Sequence, residues 1–206
     1  MEEQNIKQVM NFKVFGKYDL SEVKVEDPGL KQVINLDLLL VPKTYAQKIK
    51  WGGKEKVNVI ERLLNKLSVA GHRGKKHKII KGNATGKYTR NIKIIIDALE
   101  LVEKSTGKNP VQVLVKAIEN ASPRDEITMI EYGGARYPQA VDVSPMRRLN
   151  LALRNIVHGA GDKAFNKKKT IAQALAEEIK LCYEENGDSL AFRKKNEAEK
   201  QADSAR

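Results

Sequence analysis

The sequence predicts a mainly α-helical protein: a six-helix bundle with an inserted β-hairpin arm and an N-terminal extension. Apolar residues recur at helical spacing in segment after segment from about residue 56 onward. Around residues 126–143 that period gives way to strand-like composition on either side of a glycine pair. Residues 1–50 keep neither pattern, so they read as an extension or arm ahead of a helical domain at 51–206.

In the extension, Phe12, Val14, Phe15 and Tyr18 alternate with polar residues, and Asp27-Pro28-Gly29 reads as a turn. Two apolar runs follow, Val33-Ile34-Asn35-Leu36 and Leu38-Leu39-Leu40-Val41, the second ending at Pro42. The pattern predicts a partly extended arm that packs on the main domain.

The first helix carries Val57, Ile60, Leu64 and Leu67 at i, i+3, i+7 and i+10 and stops at Gly71. A second starts near Asn91, with Ile92, Ile95, Ile96, Leu99 and Val102 on one face, and ends at Thr106-Gly107. Asn109-Pro110 opens the third, because Asn caps an orphan backbone donor and the fixed φ of proline suits a first turn. Its core face is Val113, Leu114, Ala117 and Ile118, and Pro123 lies beyond its end. Next, Ile127-Thr128-Met129-Ile130-Glu131-Tyr132 and Gln139-Ala140-Val141-Asp142-Val143 have strand composition. They flank Gly133-Gly134-Ala135-Arg136-Tyr137-Pro138, a flexible, protruding tip. Ser144-Pro145 repeats the cap signal and starts a fourth helix on Leu149, Leu153, Ile156 and Val157. The fifth, from about 167 to 187, uses Ile171, Leu175, Ile179 and Cys182, and a polar, frayed sixth fills 188–206.

Charge points to the class of partner. The 206 residues include 38 Lys and Arg against 26 Asp and Glu, a formal net charge of +12. No acidic residue lies between Glu61 and Asp97, where ten basic ones do, so the remaining 28 basic and 26 acidic residues nearly balance. One segment therefore carries almost all the excess, which reads as a surface for a polyanion. Cys182 is the only cysteine, so no intramolecular disulfide is possible and a reducing compartment is expected. Met1-Glu2-Glu3-Gln4-Asn5 lacks the basic start of a signal peptide, and no apolar stretch approaches the ~18 residues of a membrane span. The expectation is a soluble intracellular protein.

Within the acid-free segment stand His72-Arg73-Gly74-Lys75-Lys76-His77-Lys78 and Gly82-Asn83-Ala84-Thr85-Gly86-Lys87-Tyr88. Lysine supplies compact charge, arginine a planar fork for phosphate, and glycine close backbone approach. The glycines predict a loop that stays mobile until it meets its partner; a merely solvated loop is the bland alternative. A phosphate-binding P-loop is rejected, because three residues rather than four separate Gly82 from Gly86 and Tyr88 replaces the required Ser or Thr. His72 and His77 are five apart, His158 is distant and Cys182 stands alone, so no metal site is expected. Ser144 is explained as a helix cap and Cys182 as a core residue. The adjacent pairs Glu177-Glu178 and Glu184-Glu185 point apart and read as solvated. No catalytic constellation or cofactor follows. Arg147, Arg148, Arg154 and His158 lie off the apolar stripe of the fourth helix, and Arg147, Arg154 and His158 share one side. They read as a phosphate-contacting face or, alternatively, as ordinary surface. Arg136 and Tyr137 at the hairpin tip offer stacking or bridging groups for nucleotides, with plain surface again the alternative.

Several segments together resemble one family, universal small-subunit ribosomal protein seven in its archaeal and eukaryotic branch. They are Gly107-Lys108-Asn109-Pro110-Val111-Gln112-Val113-Leu114-Val115-Lys116-Ala117-Ile118, Gln139-Ala140-Val141-Asp142-Val143-Ser144-Pro145-Met146-Arg147-Arg148, and Lys169-Thr170-Ile171-Ala172. Phe15-Gly16-Lys17, Ile60-Glu61-Arg62-Leu63 and Ser204-Ala205-Arg206 extend the likeness in order along nearly the whole chain. The resemblance implies a six-helix domain with a hairpin arm, bound to the 3′ major domain of small-subunit rRNA. It also implies nucleation of head assembly beside neighbouring head proteins, with the hairpin near exit-site tRNA and mRNA on a cytoplasmic ribosome. It carries RNA contact onto Lys54 and Lys56, onto Arg73, Lys75, Lys76, His77, Lys78, Lys81, Lys87 and Arg90, and onto Arg147, Arg148 and Arg154; Arg136 joins them from its place at the tip. Two rivals are a DNA-binding helix-turn-helix protein and an RNA-modifying enzyme. The first needs a short turn where this chain has a long basic loop, and the second needs a catalytic or cofactor site that the residues do not offer.

Overall fold

A computed structural model describes residues 13–37, 40–41, 57–73, 76–77 and 87–206. Among these, seven helices and two two-stranded antiparallel sheets follow in order. They are α1 (Pro28–Lys31), α2 (Val59–Leu67), β1 (His72–Arg73), β2 (Lys76–His77), α3 (Tyr88–Thr106), α4 (Pro110–Ala121), β3 (Asp125–Tyr132), β4 (Ala135–Asp142), α5 (Pro145–Ala164), α6 (Ile171–Tyr183) and α7 (Leu190–Ser204). The expected helical bundle with one hairpin arm is therefore present, and α2 to α7 are the six predicted helices.

Local chemistry explains most boundaries. Asn58 accepts a hydrogen bond from the Ile60 N–H at 2.9 Å and Asn109 from the Val111 N–H at 3.0 Å. Thr170 and Gln173 form a reciprocal capping box that opens α6. Ser144 stands at the N-cap of α5 but makes no side-chain cap bond, so the entry into this helix rests on Pro145. The predicted turn at Asp27-Pro28-Gly29 is instead the start of α1, where Asp27 accepts from the Gly29 N–H at 2.8 Å. Helix α3 begins at Tyr88, ahead of the expected Asn91. Its buried residues are Asn91, Ile95, Ala98, Leu99 and Val102, with Ile92 and Ile96 only half-buried.

Helix α6 is the centre of the bundle and touches α3, α4, α5 and α7. Its buried face mixes alanine (Ala172, Ala174, Ala176) with Leu175, Ile179 and Cys182, which lets four neighbours approach closely. Burial pushes the Cys182 thiol up to about 12, so it is an inert core group. Val14, Tyr18, Leu20, Leu30, Val33 and Ile34 from the N-terminal segment join the same core. Each such side chain contributes roughly 1.5–3 kcal/mol for an aliphatic group of this size. Extended backbone between them has no strand partner, and α4 supplies one from its side chains. Gln112 Oε1 accepts from the Lys24 N–H at 2.8 Å while its Nε2 donates to the Lys24 carbonyl at 3.0 Å. Glu119 Oε1 accepts from the N–H groups of Glu26 and Asp27 at 2.7 and 3.0 Å. Phe12, Leu38, Leu39 and Pro42 lie outside the described residues.

Glu178 was expected in solvent and is instead fully buried. Its Oε1 accepts from the Ser189 hydroxyl at 2.8 Å and the Ala191 N–H at 3.2 Å. Lys163 Nζ of α5 approaches Oε2 to 2.8 Å, off the hydrogen-bond line, as an ionic contact. A Cβ on Gly159 would lie 2.6 Å from the Glu178 carboxyl carbon, so only glycine lets α5 pass over this group. The network also corrects the expectation of a frayed last helix. Ser189 caps α7, accepting from the Phe192 N–H at 3.2 Å, and the helix runs regularly for 15 residues.

Replacing Glu178 by Ala leaves the Ala191 N–H without its acceptor and Lys163 with only Glu177, 4.0 Å away, and is expected to lower the unfolding free energy by about 3 kcal/mol. Gly159→Ala is expected to lower it by about 1–3 kcal/mol through overpacking. Denaturant titrations followed by circular dichroism measure both, and unchanged midpoints would show that the carboxylate holds nothing.

Candidate nucleic-acid interface

The hairpin runs in register from Asp125↔Asp142 to Tyr132↔Ala135. Gly133 and Gly134, at φ of 60° and 82°, form a two-residue turn of the kind that matches strand twist. The tip is thus shorter than expected, and Ala135, Arg136, Tyr137 and Pro138 belong to β4. Arg136 pairs with Glu131 directly across the ladder at 3.4 Å.

Opposed residues share a face and successive ones alternate. One face therefore collects Glu126 and Val141, Ile130 and Tyr137, and Tyr132 beside the turn. Tyr132 is 82% exposed and Tyr137 59%, with Ile130 and Val141 exposed as well. At the base of this face Arg147 Nε donates to Glu126 Oε2 at 2.5 Å, so it adjoins the start of α5. The opposite face rests on α7: Arg206 Nη2 donates to Asp125 Oδ2 at 2.5 Å, and Glu199 Oε1 accepts from the Arg124 N–H at 3.0 Å. At its base one face is thus buttressed and the other open, while toward the tip both are exposed, with Met129 on the α7 side at 64%.

Beyond Arg147 the open side continues along α5. Arg147 and Arg154 are exposed two turns apart, and with Lys66 of α2, Ser144, Met146, Asn150 and Leu151 they line a groove of about 300 Å³. Its floor is braced by buried Arg62, which donates to Asn150 Oδ1 at 3.2 Å and to Met146 Sδ at 2.8 Å. Lys87, Arg90 and Lys93 are exposed around the first turns of α3. Within the described residues these three and Arg154 make no ion pair.

Two arginines differ from their expected surface positions. Arg148 turns inward: its Nη2 donates to Asp27 Oδ2 at 2.5 Å and its side chain is only 10% exposed. It stands between outward Arg147 and core Leu149, on the flank that α1 covers. A Cβ on Gly29 would come within 2.9 Å of its Nη1. Burial opposes ionisation of Asp27, but the Arg148 guanidinium and the Gly29 N–H outweigh it and hold the carboxyl below its usual value. Arg73 lies against α5, where its Nη2 donates to the His158 carbonyl at 3.0 Å and to Asp162 Oδ1 at 2.6 Å. The basic run thus opens as a small hairpin, with His72↔His77 and Arg73↔Lys76 in register.

Lys54, Lys56, Lys75, Lys78 and Lys81 lie outside the described residues, as do Gly74, Gly82 and Gly86 of the expected mobile loop. Lys76 and His77 are placed by their backbone in β2. Sequence reasoning missed Lys66, Asn150 and Asp162. Lys66 was visible as one of the ten cations in the acid-free segment, yet nothing local said that α2 sets it beside α5. Among the described residues no group of three His, Cys, Asp or Glu side chains converges on a metal position, and no helix is long and apolar enough to cross a membrane.

A family model described as ribosomal protein S7p/S5e matches residues 31–206. The chain is 50% identical over 198 residues to the small ribosomal subunit protein uS7 of Nanoarchaeum equitans, covering 96% of this chain and 100% of that one. Its counterpart in Methanosphaera stadtmanae is 45% identical over 197 residues, covering 95% and 100%. That of Cenarchaeum symbiosum is 41% identical over 200 residues, covering 97% and 99%.

Asp27→Asn is expected to lower stability at neutral pH by roughly 2 kcal/mol, between the values for exposed and buried pairs. Because the folded carboxyl titrates below its unfolded value of about 3.9, this contribution is complete above that pH and fades as pH falls through the folded value. Urea titrations of parent and variant across the acid range should therefore converge; a gap unchanged at about pH 2 would refute the ion pair's role.

Proposed function

The chain belongs to the ribosomal protein S7p/S5e family, in its archaeal branch, with a structural rather than enzymatic role, and from that premise we propose that it binds small-subunit rRNA as a phosphate-neutralising wedge. The observation that carries the reading is the stripe of outward cations, Arg147 and Arg154 with Lys66 across the groove, on the flank where the acid-free segment meets α5. Phosphates seated there displace counterions, and recognition follows the shape of the RNA because base edges in A-form helices are hard to reach. Lys87 and Arg90, with Lys75, Lys76, His77, Lys78 and Lys81 of the run and with Lys54 and Lys56 ahead of α2, extend the phosphate contacts.

The finer assignment is the 3′ major domain, where the protein stabilises a multi-helix junction, nucleates head assembly and meets neighbouring head proteins. The hairpin then lies near exit-site tRNA and mRNA. Its open face supports this reading: exposed Tyr132 and Tyr137 supply stacking surfaces for unpaired bases, with Arg136 at the same end of the ribbon on its other face. A groove-reading helix-turn-helix fits poorly. Helix α4 follows α3 after a short turn but is buried over most of its surface and carries only one basic residue, Lys116, to present to a groove.

A competition titration near physiological salt tests the proposal. A folded 3′ major domain fragment should outcompete duplex DNA and unrelated structured RNA by about 10³ or more; equal binding to all three would refute it. Arg147→Ala with Arg154→Ala should flatten the log–log salt dependence by about 1.4–1.8, two phosphate contacts' worth.

A further inference from the structure

We propose that Arg73 is a positioning residue, clamped by Asp162 so that the basic β1–β2 hairpin lies against the same stripe of α5 that carries Arg154. The proposal rests on the rRNA-binding reading and assigns Arg73 a part other than direct phosphate contact.

Residues 147, 150, 154, 158 and 162 recur at three- and four-residue spacing, so they form one stripe down α5. Its first half lines the groove through Arg147, Asn150 and Arg154. Its second half receives Arg73, whose Nη2 lies 3.0 Å from the His158 carbonyl and 2.6 Å from Asp162 Oδ1. The Arg73 side chain is only 19% exposed, so the fork that would grip a phosphate is turned into the protein. Asp162 is the sole acidic residue of α5, and the segment between Glu61 and Asp97 has no carboxylate of its own. A strongly basic hairpin repels a basic helix face unless something of opposite sign holds them together. The Arg73–Asp162 pair does so, and it also cancels the one negative charge on the stripe before RNA arrives.

The sign of one substitution separates this role from simple electrostatics. Asp162→Asn makes the protein more positive, so a carboxylate that merely repels RNA would, on removal, leave binding tighter. The clamp predicts the opposite: rRNA-fragment affinity falls roughly tenfold, Arg73→Ala falls equally, and the double variant is no worse than either single. Exchanging the charges, Arg73→Asp with Asp162→Arg, should recover most of the lost affinity. Melting temperatures control for global unfolding, and Asp162 is exposed enough for Asp162→Asn to fold. If Asp162→Asn binds as tightly as the parent or tighter, while Arg73→Ala alone weakens binding and flattens the salt slope by about 0.7–0.9, Arg73 is a phosphate ligand and the clamp is refuted. Hydrogen exchange of the free protein gives a readout without RNA. Either single substitution should accelerate exchange at the β1 and β2 amides, and unchanged exchange overturns the proposal even if rRNA binding is specific. Should the parent fail to prefer rRNA while exchange does accelerate, the functional reading falls and the clamp stands as structure alone.

Discussion

A carboxylate with no access to solvent, that of Glu178, sets the frame on which both candidate surfaces are mounted. An unpaired buried charge of this kind is strongly destabilising, so the chain must bring compensating groups to it. They come from two elements packed against α6: Lys163 near the end of α5, and Ser189 with the Ala191 N–H at the start of α7. Gly159 leaves the room they need. Helix α7 is thereby aimed so that Glu199 on it and Arg206 just past its end reach the base of the hairpin. Helix α5 is held at the other side of the same carboxylate. The hairpin and the basic stripe are thus both braced from this carboxylate, and the Arg147–Glu126 pair joins them directly.

The basic residues divide into struts and surface. Arg62, Arg73 and Arg148 are turned into the protein, where they tie α2, the small β1–β2 hairpin and α1 to α5. Arg147 and Arg154 face outward from that same helix. A chain with net charge +12 repels itself when compact, and each inward arginine meets an oxygen acceptor, carboxylate, amide or carbonyl, that turns part of this repulsion into attachment. Among the described residues, the cations that remain outside include Arg147 and Arg154 of α5 and Lys87, Arg90 and Lys93 of α3.

The hairpin obeys a different constraint. Eight-residue strands joined by a two-residue turn carry the ladder well past the base that α7 supports. A two-stranded ribbon alone is marginal in water, so the ion pairs at Asp125 and Glu126 anchor what packing does not. Tyr132, Tyr137, Ile130 and Val141 are left open on one face of the ribbon.

By itself the sequence determined what is local. Helical periodicity, Asn109-Pro110, Ser144-Pro145 and Gly133-Gly134 specify the main helices and the hairpin, because each signal acts within one or two turns of chain. The acid-free stretch likewise located the excess charge before any fold was known. Tertiary structure alone decided which polar residues on those helices stay in water. Arg148 read, like Arg147, as lying off the apolar stripe, but Asp27, 121 positions away in sequence, covers it. Arg73 was one cation among ten until Asp162, 89 positions on, received it. Glu178 was one of two adjacent glutamates until Ser189 and Lys163 enclosed it, and the same contact ordered a helix that composition read as frayed. Periodicity tells which face of a helix is apolar, but a polar side chain is buried only where a distant segment brings the opposite charge or donor, and that pairing has no local signature.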